Sequence, residues 1–322
     1  MAKPTNLRLP AALAALACVT VVACGDEDSE PRKPAAQKAP AGRILFSQMT
    51  GEHRDIYAIR PDGSGLRRLT KSRGEALWPD PSPNGRKIVY EDDEPTRAVI
   101  AVIDADGGHR RVLTPRGFQG HPDWAPDGRL IAYERDPAPG DNGVWLMRPD
   151  GSDLRRLTRN PYAGAECGCD GDPTFSPDGK QIVFARTRSE SKGLGALFVM
   201  RRDGSRQRRL TSWRFDPGAQ LAWKPDGSQI LTSNNGHPQP GESSNVYVLR
   251  PDGSGLRELT RFKGGSPNAL PGSWSPDGGT IAFKTDESGD YQLYLMNADG
   301  ANRRRITNNL TDPSGIVWDA QR

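Results

Sequence analysis

The chain is poor in the residues that build most metal and redox centres, with four histidines and four cysteines among 322 residues. Its N-terminal hydrophobic run, Ala11 to Ala23, has only 13 residues and is too short to cross a bilayer. A mean hydropathy of −0.70 and 26 % charged residues exclude a polytopic membrane protein. The 36 glycines and 28 prolines argue against a helical bundle, and a net charge of +4 does not indicate a nucleic-acid-binding protein.

The first 23 residues are typical of a secretory signal peptide. Lys3 and Arg8 precede the hydrophobic run, which as a helix would span about 20 Å against a hydrocarbon core of roughly 30 Å. The run ends in Val-Val-Ala-Cys-Gly, residues 21–25, which resembles a bacterial lipobox. This resemblance implies that Cys24 is acylated and becomes the N-terminus of a lipoprotein. The alternative is an ordinary secretion signal that is cut near Ala23.

Residues 24–42 are charged and proline-rich and have no apolar periodicity, which predicts a disordered tether. The protein is therefore expected to be exported and anchored by lipid to the cell membrane, on the extracytoplasmic or periplasmic side. In that oxidising setting, Cys167 and Cys169 form a local disulfide or stay as two unused thiols. Their Cys-Gly-Cys spacing is not that of a metal or redox motif, and we expect no metal and no cofactor.

Two motifs recur along the rest of the chain. A Pro-Asp-Gly or Pro-Asn-Gly turn motif occurs at residues 82–85, 125–128, 176–179, 224–227 and 275–278. An apolar run followed by Asp-Gly and a basic stretch occurs six times and ends at Thr70, Thr114, Thr158, Thr211, Thr260 and Thr307. Successive threonines are 44, 44, 53, 49 and 47 residues apart. Repeats of this length with several short apolar runs predict four-stranded units arranged radially.

The two ends of the chain predict how the ring closes. The segment Arg43–Ser47 already matches a second strand, so the first repeat lacks its first strand. At the other end, Gly315–Asp319 matches a first strand and has no repeat after it. We therefore expect an all-β fold over residues 43–322: a six-bladed β-propeller closed by pairing of the N- and C-terminal strands.

These repeats carry a family resemblance. Trp-Ser-Pro-Asp-Gly at residues 274–278, followed by Ile-Ala-Phe at 281–283, resembles the WD-like propeller repeats of the TolB family. The apolar strands followed by Asp-Gly and Arg-Leu-Thr resemble them as well. The resemblance implies the propeller fold and a binding module of the cell envelope. TolB carries an N-terminal α/β domain where this sequence has a lipobox and a tether.

The sequence shows little catalytic chemistry. Propeller repeats accompany some serine peptidases, but no Gly-x-Ser-x-Gly pentapeptide is present. Propeller lyases use histidine ligands, whereas His53, His109, His121 and His237 fall at different phases of the repeat. The acidic groups at 170–172 and 286–290 lack the spacing of a calcium loop. We expect no enzyme, with a metal-dependent polysaccharide lyase as the alternative.

Arginine pairs mark the start of the fourth strand in five of the six repeats. Two explanations are open for this belt on the circumference. Charge on an edge strand prevents edge-to-edge aggregation. Arginine also suits contact with anionic lipid head groups or anionic wall polymers.

One position of the repeat differs in every blade. Just before the predicted first strands stand Trp78, His121, Asp172, Gln220, Pro271 and Gly315. We expect this position to lie at one mouth of the central channel and take Trp78, His121, Asp172 and Gln220 as a candidate ligand-binding rim. Such a mixed rim suits a peptide or a glycan. The predicted function is a monomeric, non-catalytic module that binds an envelope protein or peptide and no nucleic acid; the alternative ligand is a carbohydrate or anionic polymer.

Overall fold

Short antiparallel strands make up the folded part of the chain. A computed structural model describes residues 40–94, 97–114, 117–136, 142–162, 168–189, 192–234 and 241–320. Within these ranges the strands form six four-stranded sheets, which are the six blades of a β-propeller. No helix in the described ranges has the length and hydropathy to cross a membrane. The predicted signal peptide, Cys24 and most of the tether lie outside the described residues, as do Cys167 and His237.

Each blade takes four strands in order from the channel to the rim. Blade 1 contains β24 (Ser314–Asp319), β1 (Arg43–Thr50), β2 (His53–Ile59) and β3 (Arg67–Arg68). Blade 2 contains β4 (Glu75–Pro81), β5 (Lys87–Glu94), β6 (Arg97–Asp104) and β7 (Arg111–Val112). Blade 3 contains β8 (Phe118–Trp124), β9 (Ile131–Asp136), β10 (Gly143–Met147) and β11 (Arg155–Arg156). Blade 4 contains β12 (Asp170–Phe175), β13 (Gln181–Ser189), β14 (Leu194–Arg201) and β15 (Arg208–Arg209). Blade 5 contains β16 (Ala222–Trp223), β17 (Ile230–Ser233), β18 (Val246–Leu249) and β19 (Arg257–Glu258). Blade 6 contains β20 (Ala269–Trp274), β21 (Thr280–Thr285), β22 (Gln292–Asn297) and β23 (Arg304–Arg305).

The prediction that the two ends of the chain share a blade is confirmed. The C-terminal β24 pairs antiparallel with the N-terminal β1, so that Ile44 lies opposite Trp318. Arg43 Nε also donates to Asp319 Oδ2 at 2.8 Å, and the Trp318 indole donates to the Ala41 carbonyl at 2.9 Å. Because the first and last strands join one sheet, the ring closes without an exposed first or last blade.

The hydrophobic core lies between neighbouring blades. In the cluster between blades 1 and 2, Leu45 and Ile56 pack with Ile88 and Tyr90, all at most 1 % exposed. Corresponding clusters fill the other junctions, including the one between blades 6 and 1. Since both faces of most blades are covered, their central strands are short, continuous apolar runs.

The recurring threonine has the same role in all six blades. Its Oγ1 accepts a hydrogen bond from the backbone N–H of the residue 14 positions earlier, at the start of the third strand. All six threonines are at most 8 % exposed. The hydroxyl therefore satisfies a buried donor that the fourth strand is too short to pair.

The recurring Asp-Gly explains how closely the blades approach. At Gly107, φ is 96°, and a Cβ there would lie 2.2 Å from the carbonyl oxygen of Leu69 in the preceding blade. Gly151 has the same relation to Leu113, with a distance of 2.3 Å. The glycine is thus required both by its backbone conformation and by the contact between blades.

The arginine belt joins adjacent blades. The first arginine of each pair donates to backbone carbonyls in the Asp-Gly turn of the next blade. Arg111 bonds Pro149 and Asp150, and Arg208 bonds Pro251 and Asp252 at 2.8 Å each. Arg67, Arg257 and Arg304 make the equivalent contacts in their blades. This inter-blade contact is a role that neither edge protection nor lipid contact had described.

Candidate functional site

A bulge in the innermost strands directs side chains into the channel. The register of β4, β8 and β12 against the second strand shifts at Trp78, His121 and Asp172 respectively. These three residues have φ near +50°, and Gln220 has φ +89°. Positive φ costs a non-glycine residue about 1–2 kcal/mol, and β-bulges commonly re-aim side chains at functional sites. Trp78, His121 and Asp172 lie inside their strands and not before them, as the repeat had suggested.

The predicted rim residues meet at one cavity. Trp78, His121, Asp172, Gln220 and Gly315 line a cavity of about 250 Å³ in the channel. The sixth residue of the set, Pro271, lines a neighbouring cavity, which Trp78 and Gln220 also line. The sequence therefore identified the position that faces the channel, although the contacts of each side chain differ.

His121 lies among three carboxylates. Its Nε2 is 3.1 Å from Asp172 Oδ1, and its Nδ1 is 3.3 Å from Glu134 Oε2. The His121 backbone N–H donates to Glu91 Oε2 at 3.3 Å. Nε2 and Asp172 Oδ1 are at ion-pair distance but are not aligned for a hydrogen bond, so both buried atoms lack such a partner within the described residues.

Two glycines bring these carboxylates to the rim. A Cβ on Gly120 would lie 2.3 Å from Glu91 Oε2, and a Cβ on Gly171 would lie 2.5 Å from Glu134 Oε2. Each carboxylate thus occupies the space above a glycine of the next blade. Sequence reasoning missed Glu91 and Glu134. The available signal was a glycine directly before His121 and before Asp172, with a glutamate on the second strand of the preceding blade.

The cluster shifts the pKa values of its members. Burial alone would lower the pKa of His121, but the charges of Asp172, Glu134 and Glu91 outweigh it and raise the pKa to about 10. Burial, with the nearby Glu134 charge, raises the pKa of Glu91 to about 7. Burial also raises the pKa of Asp172. The cluster therefore holds a protonated imidazole at neutral pH, with more carboxylates than cations around it.

The aromatic and amide members have different roles. The Trp78 ring lies on the His121 ring, with centroids 4.4 Å apart, a cation–π arrangement when the imidazole is protonated. The Gln220 amide bonds both the N–H and the carbonyl of Ile316, in a blade that is not its neighbour. Blade 6 places Pro271, which has no N–H, between them. Gln220 therefore helps to close the ring as well as lining the cavity.

Below the rim, polar side chains link consecutive innermost strands. Asp80 accepts the Trp124 N–H at 2.7 Å, and Asp123 accepts the Phe175 N–H at 2.8 Å. Ser273 accepts the Trp318 N–H at 2.6 Å, two residues further along the repeat than the rim position. Burial, followed by carboxylate repulsion, raises the pKa values of Asp80 and Asp123. This set was also missed, although it stands at a constant offset from the rim residues.

The described residues do not form a metal centre. Within them, no group of three or more histidine, cysteine, aspartate or glutamate side chains is arranged to hold a metal ion. Of the described histidines, His53 and His109 do not line the cavity that His121 lines; His109 is on an outer hairpin, with Nδ1 2.6 Å from Asp104 Oδ2. The local pairing of Cys167 with Cys169 stays a prediction, because Cys167 is outside the described ranges.

Comparisons with known proteins agree with this architecture. Residues 35–238 match the family model described as PD40, TolB beta propeller domain. A protein TolB homolog from Chlorobium luteolum is 31 % identical over 263 residues, which cover 82 % of this chain and 56 % of that protein. The Tol-Pal system protein TolB of Anaeromyxobacter dehalogenans is 30 % identical over 182 residues, covering 54 % of this chain and 37 % of its own length.

A solved structure shows the same fold. TolB from Acinetobacter baumannii superposes with a TM-score of 0.70 and 24 % identity, over 86 % of this chain and 66 % of that one. The chain spans about half the length, or less, of the two curated relatives that it matches. The family model covers well over half of the chain, in the part where the repeats and the bulged channel strands lie. This chain therefore belongs to the TolB β-propeller family.

Proposed function

We propose that this protein is a non-catalytic binding module of the cell envelope whose channel mouth accepts a peptide segment of an envelope protein. The observation that carries the proposal is the convergence of strained, bulged residues on one cavity. Trp78, His121 and Asp172 are each held at positive φ where they line it. Backbone strain of this kind persists only where the surrounding structure imposes it, and it concentrates at binding and catalytic sites.

The chemistry of the mouth suits a peptide. The unpaired atoms of His121 and Asp172 offer one donor and one acceptor, which match a backbone carbonyl and a backbone N–H. The excess of carboxylates around His121 favours a segment that carries a positive charge. Trp78 adds an aromatic surface of the type that anchors many interfaces. The relatives named for the Tol-Pal system support an envelope protein as the partner.

A pull-down with photo-crosslinking tests this proposal. Trp78→Ala and Asp172→Asn should each reduce capture of the partner from solubilised envelope by about tenfold, since such residues are typical hot spots. His109→Ala is the matched control, because its side chain is 87 % exposed on an outer hairpin. Equal capture by all variants would exclude the channel mouth. Turnover of oligogalacturonate that is lost with EDTA and in His121→Ala would instead support the lyase alternative.

The attachment to the membrane is a separate part of the proposal. A diacylated Cys24 would give the two chains that stable anchoring needs, and the tether would let the propeller reach partners away from the lipid surface. Cys24→Ser should move the protein from the membrane fraction to the soluble fraction. The anchor is wrong if this variant still sediments with membranes.

A further inference from the structure

The inter-blade arginine contact is missing at one junction. In five blades the first arginine of the fourth strand bonds the turn of the next blade, but Arg155 of blade 3 makes no side-chain hydrogen bond within the described part of the chain. The blade 4 turn is also set further back. A Cβ on Gly204 would lie 3.0 Å from the Leu157 carbonyl oxygen, whereas the equivalent distances elsewhere are 2.2–2.8 Å.

A cationic cleft opens at this junction. It has a volume of about 830 Å³, and its positively charged lining consists of Arg155, Lys180, Arg201, Arg202, Arg206 and Arg208. The carboxylates that line it are those of Asp178 and Asp203. Val199 and Met200 are its apolar residues. The cleft therefore lies on the outer part of the blade and is separate from the channel mouth.

Three of the cations are uncompensated. Arg202 pairs with Asp127 at 2.8 Å, and Lys180 lies 3.4 Å from Asp178. The Arg208 guanidinium is held by the carbonyls of blade 5. Arg155, Arg201 and Arg206 make neither an ion pair nor a side-chain hydrogen bond with any described residue, and all three are exposed.

The backbone at Arg206 supports a role for its side chain. Arg206 has φ +54°. The other blades place Gly65, His109, Asp153, Gly255 and Asn302 at this position, also with positive φ. Glycine, asparagine, aspartate and histidine are the residues that tolerate this conformation best, whereas arginine is not enriched there. Blade 4 thus keeps a guanidinium at the cleft in a position where the fold favours other residues.

We propose that this cleft binds a phosphate-bearing anion. Guanidinium groups match the geometry of phosphate oxygens and bond them in a bidentate manner. Three uncompensated guanidinium groups around one concave surface are better balanced by a phosphate than by a single carboxylate. The source of the phosphate is a soluble polyphosphate or the head group of an anionic phospholipid.

Titration of the full chain with tripolyphosphate in a calorimeter tests the site. Arg206→Gly installs the residue found at Gly65 and Gly255, so the fold should be as stable or more stable while binding weakens about tenfold. Arg201→Gln should weaken binding similarly. Arg250→Gln is the control, because Arg250 stands at the phase of Arg201 in blade 5 and removes the same charge. The proposal is overturned if native protein does not bind, or if the control weakens binding as much as Arg206→Gly.

Vesicles identify the source of the phosphate. The same variants are tested for co-sedimentation with vesicles of phosphatidylglycerol and phosphatidylcholine at about 0.15 M salt; any lipid anchor contributes equally to all of them. Weaker sedimentation of Arg206→Gly than of Arg250→Gln assigns the site to a lipid head group. Equal sedimentation, together with lost tripolyphosphate binding, assigns it to a soluble phosphate.

Discussion

Replacing Thr158 by valine should destabilise the propeller by about 1–3 kcal/mol, the cost of leaving a buried donor unsatisfied. Thr158 is 1 % exposed, and its Oγ1 accepts the Val144 N–H at 3.0 Å. Valine keeps the shape of the side chain but removes the acceptor. For a chain of this size the change corresponds to a fall in melting temperature of roughly 2–10 °C.

The same substitution should cost more in blade 1. Thr70 Oγ1 accepts the Ile56 N–H and also donates to Asp55 Oδ1 at 2.8 Å, and Asp55 is fully buried. Thr70→Val therefore removes a hydrogen bond to a carboxylate as well, which adds about 1.5–3 kcal/mol. The expected order of destabilisation is Thr70→Val, then Thr158→Val.

Urea unfolding followed by circular dichroism measures both changes. Thr280→Val is the control, because the Thr280 hydroxyl has no hydrogen-bond partner among the described residues and its side chain is only partly buried. It should change the free energy of unfolding by less than about 0.5 kcal/mol. The reasoning is refuted if Thr158→Val is as stable as the control, or if Thr70→Val is no worse than Thr158→Val.

Three further predictions concern the channel, the blade contacts and the closure. The fold raises the pKa of His121 from 6.5 to about 10; its contribution to stability is therefore complete below pH 6.5 and is lost as the pH rises through 10, so His121→Gln should flatten the fall in melting temperature between pH 7 and 10, and an unchanged slope contradicts the cluster. Gly151→Ala should be about 1–3 kcal/mol worse than Gly227→Ala, since both have positive φ but only the Gly151 Cβ would meet a carbonyl oxygen; equal losses in urea unfolding would show that contact to be unimportant. Deleting residues 314–322 removes β24 from blade 1 and should lower the melting temperature markedly in calorimetry, while an unchanged value would disprove closure through β24.

The repeat pattern predicted the blades because its spacing depends on local chemistry. Pro-Asp-Gly turns, short apolar strands and the unpaired segments at the two ends are readable without coordinates. The rim position could also be read, because it varies where its neighbours repeat. What Trp78, Asp172 and Gln220 touch could not be read, since Gln220 reaches a blade that is not adjacent in the ring.

The amino-acid sequence by itself determined the number of blades, the closure of the ring and the position that faces the channel, because these depend on the period of the repeat and on its incomplete ends. The tertiary structure decided which charges meet. Glu91, Glu134 and Asp172 come from different blades to surround His121. In the same way, Arg155 is separated from the turn that its counterparts bind, and a cleft opens there. Contacts between blades depend on packing over long sequence separations, and no repeat motif records that packing.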